Sequence, residues 1–292
     1  MTPHMPRAAL TVALTGALIA GAASAVPAQA LPSGHTQAAA PAPASSTSPA
    51  WALKPAVGAT TDENGFEIDA NGVLLRYTGS ASDITIPAKV TAIADEAMRG
   101  TTAERITVPA TVRTIGDRAF ADAQQLKALV FEDTADHPSQ LTALGAEAAA
   151  NTPALTEVAV PSKAASLGEG AFADSGITRL SLPDSLTSIP ARLVKNSSLL
   201  TEAVVGNAVT EIGEAAFSAA HSLKGLSVRQ ADGSTALGFP SSLVTIGKDA
   251  FYAVGLGSID LPASVRTIGD AAFYAIERLS HVGLNEGLVS IG

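Results

Sequence analysis

The side chains able to carry chemistry in this 292-residue chain are five histidines, 27 acidic residues and ordinary hydroxyls, with no cysteine. Lack of cysteine excludes thiolate catalysis, cysteine-ligated metal and disulfides. A histidine relay needs a nucleophile and a carboxylate within hydrogen-bond reach of the ring. His4 and His35 stand near the start, His137 in an insertion, His221 on a turn and His281 beside a strand. No spacing unites them with a serine and an acid. Gly168-Glu169-Gly170-Ala171-Phe172-Ala173 fits the loose GxGxxA dinucleotide fingerprint. That fingerprint must open a long helix, whereas here the six residues fill one slot of a repeat. Asp69-Ala70-Asn71-Gly72 begins like a calcium loop, but the downstream bidentate Glu is missing. A turn between two short alternating runs is the better reading.

One further candidate is periodic. Asp95, Asp117, Ala146, Glu169, Ala191, Glu214, Lys248 and Asp270 occupy equivalent places along the chain. Acids stacked at one-coil spacing could form a calcium ladder, or each could cap its own short turn. Alanine and lysine interrupt the column, which favours capping.

The column exists because the chain repeats one phrase. Ile259–Phe273 reads IDLPASVRTIGDAAF and Ile106–Phe120 reads ITVPATVRTIGDRAF. Pro87, Pro109, Pro161, Pro183, Pro240 and Pro262 mark one beat; Gly116, Gly168, Gly213, Gly247 and Gly269 mark a second; Phe120, Phe172, Phe217, Phe251 and Phe273 mark a third. Undisturbed copies stand 22 or 23 residues apart, and a fixed period of that length means a solenoid. Before each Pro the pattern is L-x-x-L-x-L, as in Ile177, Leu180 and Leu182, a strand with one face buried. Proline ends it, having no N–H for the ladder. The corner Gly is expected at positive φ, followed by a short helical turn with the Phe beneath it. About nine coils at roughly 4.8 Å give a body roughly 40 Å long.

Apolar residues make up 47% of the chain and aromatic ones 4%, so the core must be Leu, Ile, Val and Ala around a sparse set of Phe. The net charge is −9 without any basic block, which argues against nucleic acid and anionic membrane as partners. Residues 1–30 read as a secretory signal: one Arg, an apolar run from Ala8 to Val26, then Ala28-Gln29-Ala30 as the cleavage pattern, with Ala25 as the alternative. An uncleaved membrane anchor is the competing reading. After signal removal no membrane insertion is expected. Residues 31–60, rich in Ala, Pro, Ser and Thr and holding the lone Trp51, read as a disordered linker. Residues 61–83 read as an N-terminal capping hairpin turning at Asn71-Gly72, and 84–292 as the solenoid. Glu132–Gln140 and Arg229–Phe239 are insertions expected as surface loops. The last copy stops at Gly292, before its helical turn, and suggests that the chain continues.

The pattern L-x-x-[LIV]-x-LP-x-S-[VL]-x-x-IG-x-x-AF, with the opening FEIDANGVLLRYTGSASDITIP, resembles the BspA-like bacterial leucine-rich repeats. The resemblance covers about three quarters of the chain. It implies a leucine-rich-repeat-type parallel-strand solenoid on an exported or cell-surface protein, with binding and adhesion to host matrix as its work and no catalytic residues. No wall-sorting signal or surface-layer module accompanies it.

If binding is the work, the outward sheet face is its natural place. Glu157, Arg179, Ser181, Glu202, Ser227, Asp260 and His281 are the polar residues expected there. Glu157, Arg179 and Glu202 alternate in sign on adjacent strands and are expected to pair. No aromatic residue joins them, so sugar stacking is not expected on this face. Tyr252 and Tyr274 recur one coil apart beside the Phe column, as edge packing or as an exposed patch. The expectation is a secreted or cell-surface, non-enzymatic protein without cofactor or metal that binds an extracellular or host-surface protein. A structural spacer, or the targeting region of a longer extracellular enzyme, are the alternatives.

Overall fold

The computed structural model describes residues 60–292; the signal and nearly all of the linker, with His4, His35 and Trp51, lie outside the described residues. Three strands begin it: β1 (Thr60–Thr61), β2 (Phe66–Ile68) and β3 (Val73–Tyr77). Long-face and short-face strands then alternate: β4 (Asp83–Thr85), β5 (Ala92–Ile93), β6 (Arg105–Val108), β7 (Thr114–Ile115), β8 (Ala128–Phe131), β9 (Ala143–Leu144), β10 (Glu157–Ala159) and β11 (Ser166–Leu167). They continue as β12 (Arg179–Ser181), β13 (Ser188–Ile189), β14 (Glu202–Val205), β15 (Glu211–Ile212) and β16 (Leu226–Arg229). The last are β17 (Thr235–Leu237), β18 (Thr245–Ile246), β19 (Ser258–Asp260), β20 (Thr267–Ile268), β21 (His281–Gly283) and β22 (Ser290–Ile291).

Equivalent strands of successive coils pair in parallel and in register, as Arg179 with Glu202 and Thr245 with Thr267. The result is a parallel β-solenoid of about ten turns, one more than expected. The extra rung is β3. It pairs antiparallel with β2 and parallel with β5, so it belongs to the stack rather than to a separate unit. Leu74 within it is fully buried.

Alternation decides which side chains enter the core. On the long face Ile106, Val108, Val158, Leu180, Leu182, Ala203, Val205 and Ile259 are buried. On the short face the second residue of each pair goes in from β5 to β20, as Ile115, Leu144, Ile189, Ile212 and Ile246, while Ile291 of β22 is exposed. Each strand-ending Pro accepts in a tight turn through its carbonyl, as Val112 N–H donates to Pro109 O at 3.1 Å. Phe120, Phe172, Phe217 and Phe251 are fully buried. The aromatic ladder is continuous only at one end, where Phe217, Phe251 and Phe273 stack at 5.3 and 5.5 Å. Ala149 and Val194 interrupt the column, and Phe273, in the penultimate coil, is half-buried.

The expected helical turns are absent from the described residues. In their place are two successive tight turns, each with one residue at positive φ: Glu96 and Gly100, Arg118 and Asp122, Arg192 and Asn196, Ala271 and Ala275. The cause lies in the hydrogen bonds. A helix would bond these N–H groups internally. Here alternate ones donate to the next coil: Glu96 to Asp117 O, Met98 to Ala119 O and Gly100 to Ala121 O, at 2.8–2.9 Å. The left-handed residues let alternate N–H groups point along the stack, and Asp and Asn tolerate that conformation best after Gly.

The corner glycines serve close approach, and their φ is not positive. A Cβ on Gly145 would sit 2.5 Å from the Gly116 carbonyl carbon, and one on Gly269 2.5 Å from Lys248 N. Coils one strand spacing apart leave no room for it.

Two breaks interrupt the sheets. The short face divides between β11 and β13, where Pro190 replaces the corner Gly and has no N–H to donate to the previous coil. The long face divides after β16. The insertion Arg229–Phe239 is not simply a loop: β17 folds back antiparallel on β16 and takes the edge that β19 would occupy. Phe239 then packs edge-on against Phe251 at 5.5 Å. Glu132–Gln140 contains no strand and is mostly exposed.

Polar ladders tie the outer edges of the coils. Arg99 Nε donates to Asp122 Oδ2 at 2.7 Å, and Asn151 Nδ2 donates to Asp122 Oδ1 at 2.8 Å. The Asn151 bond, then the Arg99 bond, hold the Asp122 carboxyl below its usual pKa. Partial burial works to raise the Asp133 carboxyl, but the Ser162 and Ser139 N–H groups outweigh it, and its pKa too is lowered.

Replacing Phe217 by Ala should lower stability by about 3–5 kcal/mol, read from the urea unfolding midpoint; a loss below about 1 kcal/mol would place Phe217 outside the core. Gly145→Ala should cost about 1–3 kcal/mol through overpacking between coils, read in the same titration. Both depressed carboxyls favour the fold in their ionised form. That stabilisation is complete above the ordinary aspartate pKa, about 3.9, and is lost as pH falls through the lower folded values. The urea midpoint should therefore fall below about pH 4, and Asp122→Asn should flatten that fall.

Candidate binding surface

The long sheet positions five of the seven candidate residues on one continuous surface. Glu157 on β10, Arg179 and Ser181 on β12, Glu202 on β14 and Ser227 on β16 stand on adjacent strands of the eight-stranded sheet. Each flanks a buried residue, and alternation points it outward: Glu157 and Arg179 are exposed, while Ser181, Glu202 and Ser227 are half-buried. Asp260 and His281 lie apart from them, on the two-stranded sheet β19–β21 beyond the break. The face expected as one platform is thus two, and the physical reason is β17.

The expected alternation of charge is realised only in part. Arg179 Nε lies 3.1 Å from Glu202 Oε2. Glu157 stands in register beside Arg179, but no ion pair joins them. Lys127 and Glu104 pair at 2.8 Å nearer the start of the sheet. On the smaller sheet His281 Nε2 lies 3.1 Å from Asp260 Oδ1. Such exposed pairs contribute little stability, so they are available to exchange partners with a ligand.

Arg229 belongs to this surface although the sequence reading did not place it there. From β16 its guanidinium reaches across β14 and donates to Asp184 Oδ1 at 2.6 Å, Leu182 O at 3.2 Å and Ser181 Oγ at 3.2 Å. Ser181 is therefore engaged. The only signal available in the sequence was a long cationic side chain in strand register at the start of an insertion.

The acidic corner column does not cap its own turns. Asp117 N–H donates to Asp95 Oδ1 at 2.9 Å, and Ala146 N–H donates to Asp117 Oδ1 at 2.8 Å. These carboxylates bridge successive coils. Asp69 accepts from Asn71 N–H at 2.9 Å and from Val73 N–H at 2.8 Å, which ties the β2–β3 turn. Gly168 and Phe172 sit at a repeat corner and in the core, as the repeat reading requires. No three His, Asp or Glu side chains gather as a metal site among the described residues. Tyr252 and Tyr274 stack on each other at 5.7 Å while 37% and 64% exposed, which makes them a surface patch and not edge packing. No helix of the described residues is long and apolar enough to cross a membrane.

A sequence model of the BspA type leucine rich repeat region, in six copies, matches residues 74–137, 132–232 and 229–292. No curated protein matches the chain. Among solved structures, a leucine rich cell surface protein from Faecalibacterium prausnitzii is similar at 22% identity and a TM-score of 0.54, with 80% of this chain and 77% of that one covered. A leucine-rich repeat protein from Eubacterium ventriosum is similar at 20% identity and a TM-score of 0.52, with 74% of this chain and 51% of that one covered. These likenesses agree on the coiled architecture. Given the three matched segments and the repeated strand, corner and Phe positions, the chain belongs to the BspA-type leucine-rich repeat family.

Proposed function

We propose that this is a secreted or cell-surface protein that binds an extracellular or host-surface protein through the outward face of its long sheet. It performs no catalysis and uses no cofactor. The observation that carries the reading is the register of Glu157, Arg179 and Glu202: charged groups one strand spacing apart on a backbone ladder that fixes their spacing. A surface ordered in advance loses less entropy on binding than flexible loops do. Membership of a family of bacterial repeat proteins supports an interaction role, and the likeness to a cell surface protein of Faecalibacterium prausnitzii supports the location. Exposed segment Glu132–Gln140 borders the same face and extends it.

The test is surface plasmon resonance of the purified chain over a panel of immobilised extracellular-matrix proteins. Glu157→Lys combined with Arg179→Glu should weaken the best binder about tenfold or more, as charge reversal at an interface does. Glu211→Lys on the short face should leave it unchanged. Equal losses from both, or none from the first, would exclude the long sheet as the site. Since Asp95 and Asp117 already accept backbone N–H groups, millimolar calcium should leave the melting temperature where chelator leaves it. A rise of several degrees, lost in Asp95→Ala, would make the column a metal ladder.

A further inference from the structure

A second opening lies where the long sheet divides. Its origin can be read from turn lengths. The turn Ala220-His221-Ser222-Leu223 and the turn Ile276-Glu277-Arg278-Leu279 have two residues between their inward-facing ends, buried in the first and partly buried in the second, whereas Val254-Gly255-Leu256 between them has one. The short turn is recessed, and the residues its neighbours carry in excess become the walls. A Cβ on Gly255 would collide with His221 O, so the coils close tightly at the base.

The recess encloses about 550 Å³ lined by His221, Ser222, Lys224, Gly255, Glu277 and Arg278, among others. A neighbouring opening of about 400 Å³ shares Lys224, Gly255 and Arg278 and continues past Gly257 and Ser258 to the start of β19. Two features distinguish its floor. A Cβ on Gly257 would meet nothing within 4 Å, unlike the crowded corner glycines. In regular coils the N–H groups entering each long strand donate backward, as Thr201 and Glu202 both do to Thr178 O. Gly257 and Ser258 N–H donate to no acceptor among the described residues, and the same holds for Lys224 and Gly225 N–H at the start of β16.

Charge completes the site. Lys224 and Arg278 take part in no ion pair among the described residues, in a chain of net charge −9. His221 Nδ1 is engaged with Ala253 O at 2.7 Å, and Glu277 is the one acid of the lining. An open recess lined by unbonded backbone N–H groups and two cations outside any ion pair suits an extended chain bearing carboxylates. The geometry points to this groove as a docking site for an acidic, extended peptide segment of a protein partner, with Lys224 and Arg278 receiving its carboxylates and the Gly257–Ser258 backbone receiving its carbonyls. This rests on the reading of the chain as a protein-binding module, but assigns it a second surface, distinct from the Glu157–Arg179–Glu202 face.

Fluorescence anisotropy of the full chain with two labelled octapeptides tests it, one alternating Asp and Thr, the other Asn and Thr. The acidic peptide should bind about tenfold tighter than the neutral one at low salt, and that preference should shrink as ionic strength rises. Lys224→Glu with Arg278→Glu should abolish the preference, and Gly257→Val, which fills open space, should weaken binding while leaving the unfolding midpoint unchanged. Arg179→Glu should leave acidic-peptide binding intact. Equal affinity for both peptides, or a preference that survives Lys224→Glu/Arg278→Glu, would overturn the groove. So would dependence on Arg179 instead, and that result would leave the sheet-face function standing. A heparin octasaccharide that binds through Lys224 and Arg278 where the acidic peptide does not would equally overturn the peptide assignment.

Discussion

The molecule depends on one interaction, the hydrogen bond from one coil to the next. Corner N–H groups donate backward along the stack, as Gly116 to Ile93 O, turn N–H groups donate forward, as Met98 to Ala119 O, both at 2.8 Å, and the long-face N–H groups go both ways, as Arg179 back to Thr156 O and Leu182 forward to Val204 O. Together they hold every coil at one strand spacing from its neighbours. The rest of the sequence pattern follows from that distance. Corner glycines are small because a backbone lies where a Cβ would be, and Phe rings stack nearly flat, 8° apart at Phe217 and Phe251, because their coils repeat at ring-stacking distance. Left-handed residues recur because only they turn alternate N–H groups along the axis.

Much of this was legible in the sequence, and the limit of legibility has a physical form. Period, strand positions and buried columns were visible because each is a one-dimensional consequence of stacking, repeated often enough to survive the degenerate copies at Ala149 and Val194. What the turn after Gly116 does was not. Asp117-Arg118-Ala119-Phe120 contains acceptable helix formers, and local propensity favours a helix there. The competing bonds come from a coil more than twenty residues away, as with Arg118 N–H to Ala146 O at 2.9 Å. Propensity is a weak prior against such contacts. The same blindness hid β17: residues Thr235–Leu237 carry no strand pattern of their own and pair because β16 offers an edge. It also hid the side chain of Arg229, whose partners lie two strands away.

The repeat offers surfaces where it is imperfect as well as where it is regular. A perfect solenoid would present one uniform face, and uniform faces discriminate poorly. Here a ten-residue-scale insertion divides that face, and turns of unequal length leave a recess with its own charge. The regular part supplies rigidity and the irregular part supplies distinct surfaces.

The two sheet breaks are also offset from each other. Where Pro190 opens the short face, the long strands β10 and β12 remain paired through three residues, and Phe172 N–H still donates to Leu193 O. Where β17 opens the long face, β18 and β20 remain paired and Phe251 N–H donates to Ala272 O. The joints are staggered like those of a brick course. A pull along the axis finds no plane in which all the lateral bonds are already missing, so tension is passed around each gap through the opposite wall of the coil. Each gap in one wall is therefore spanned by intact strand pairing in the other, and no two neighbouring coils are held by their turns alone.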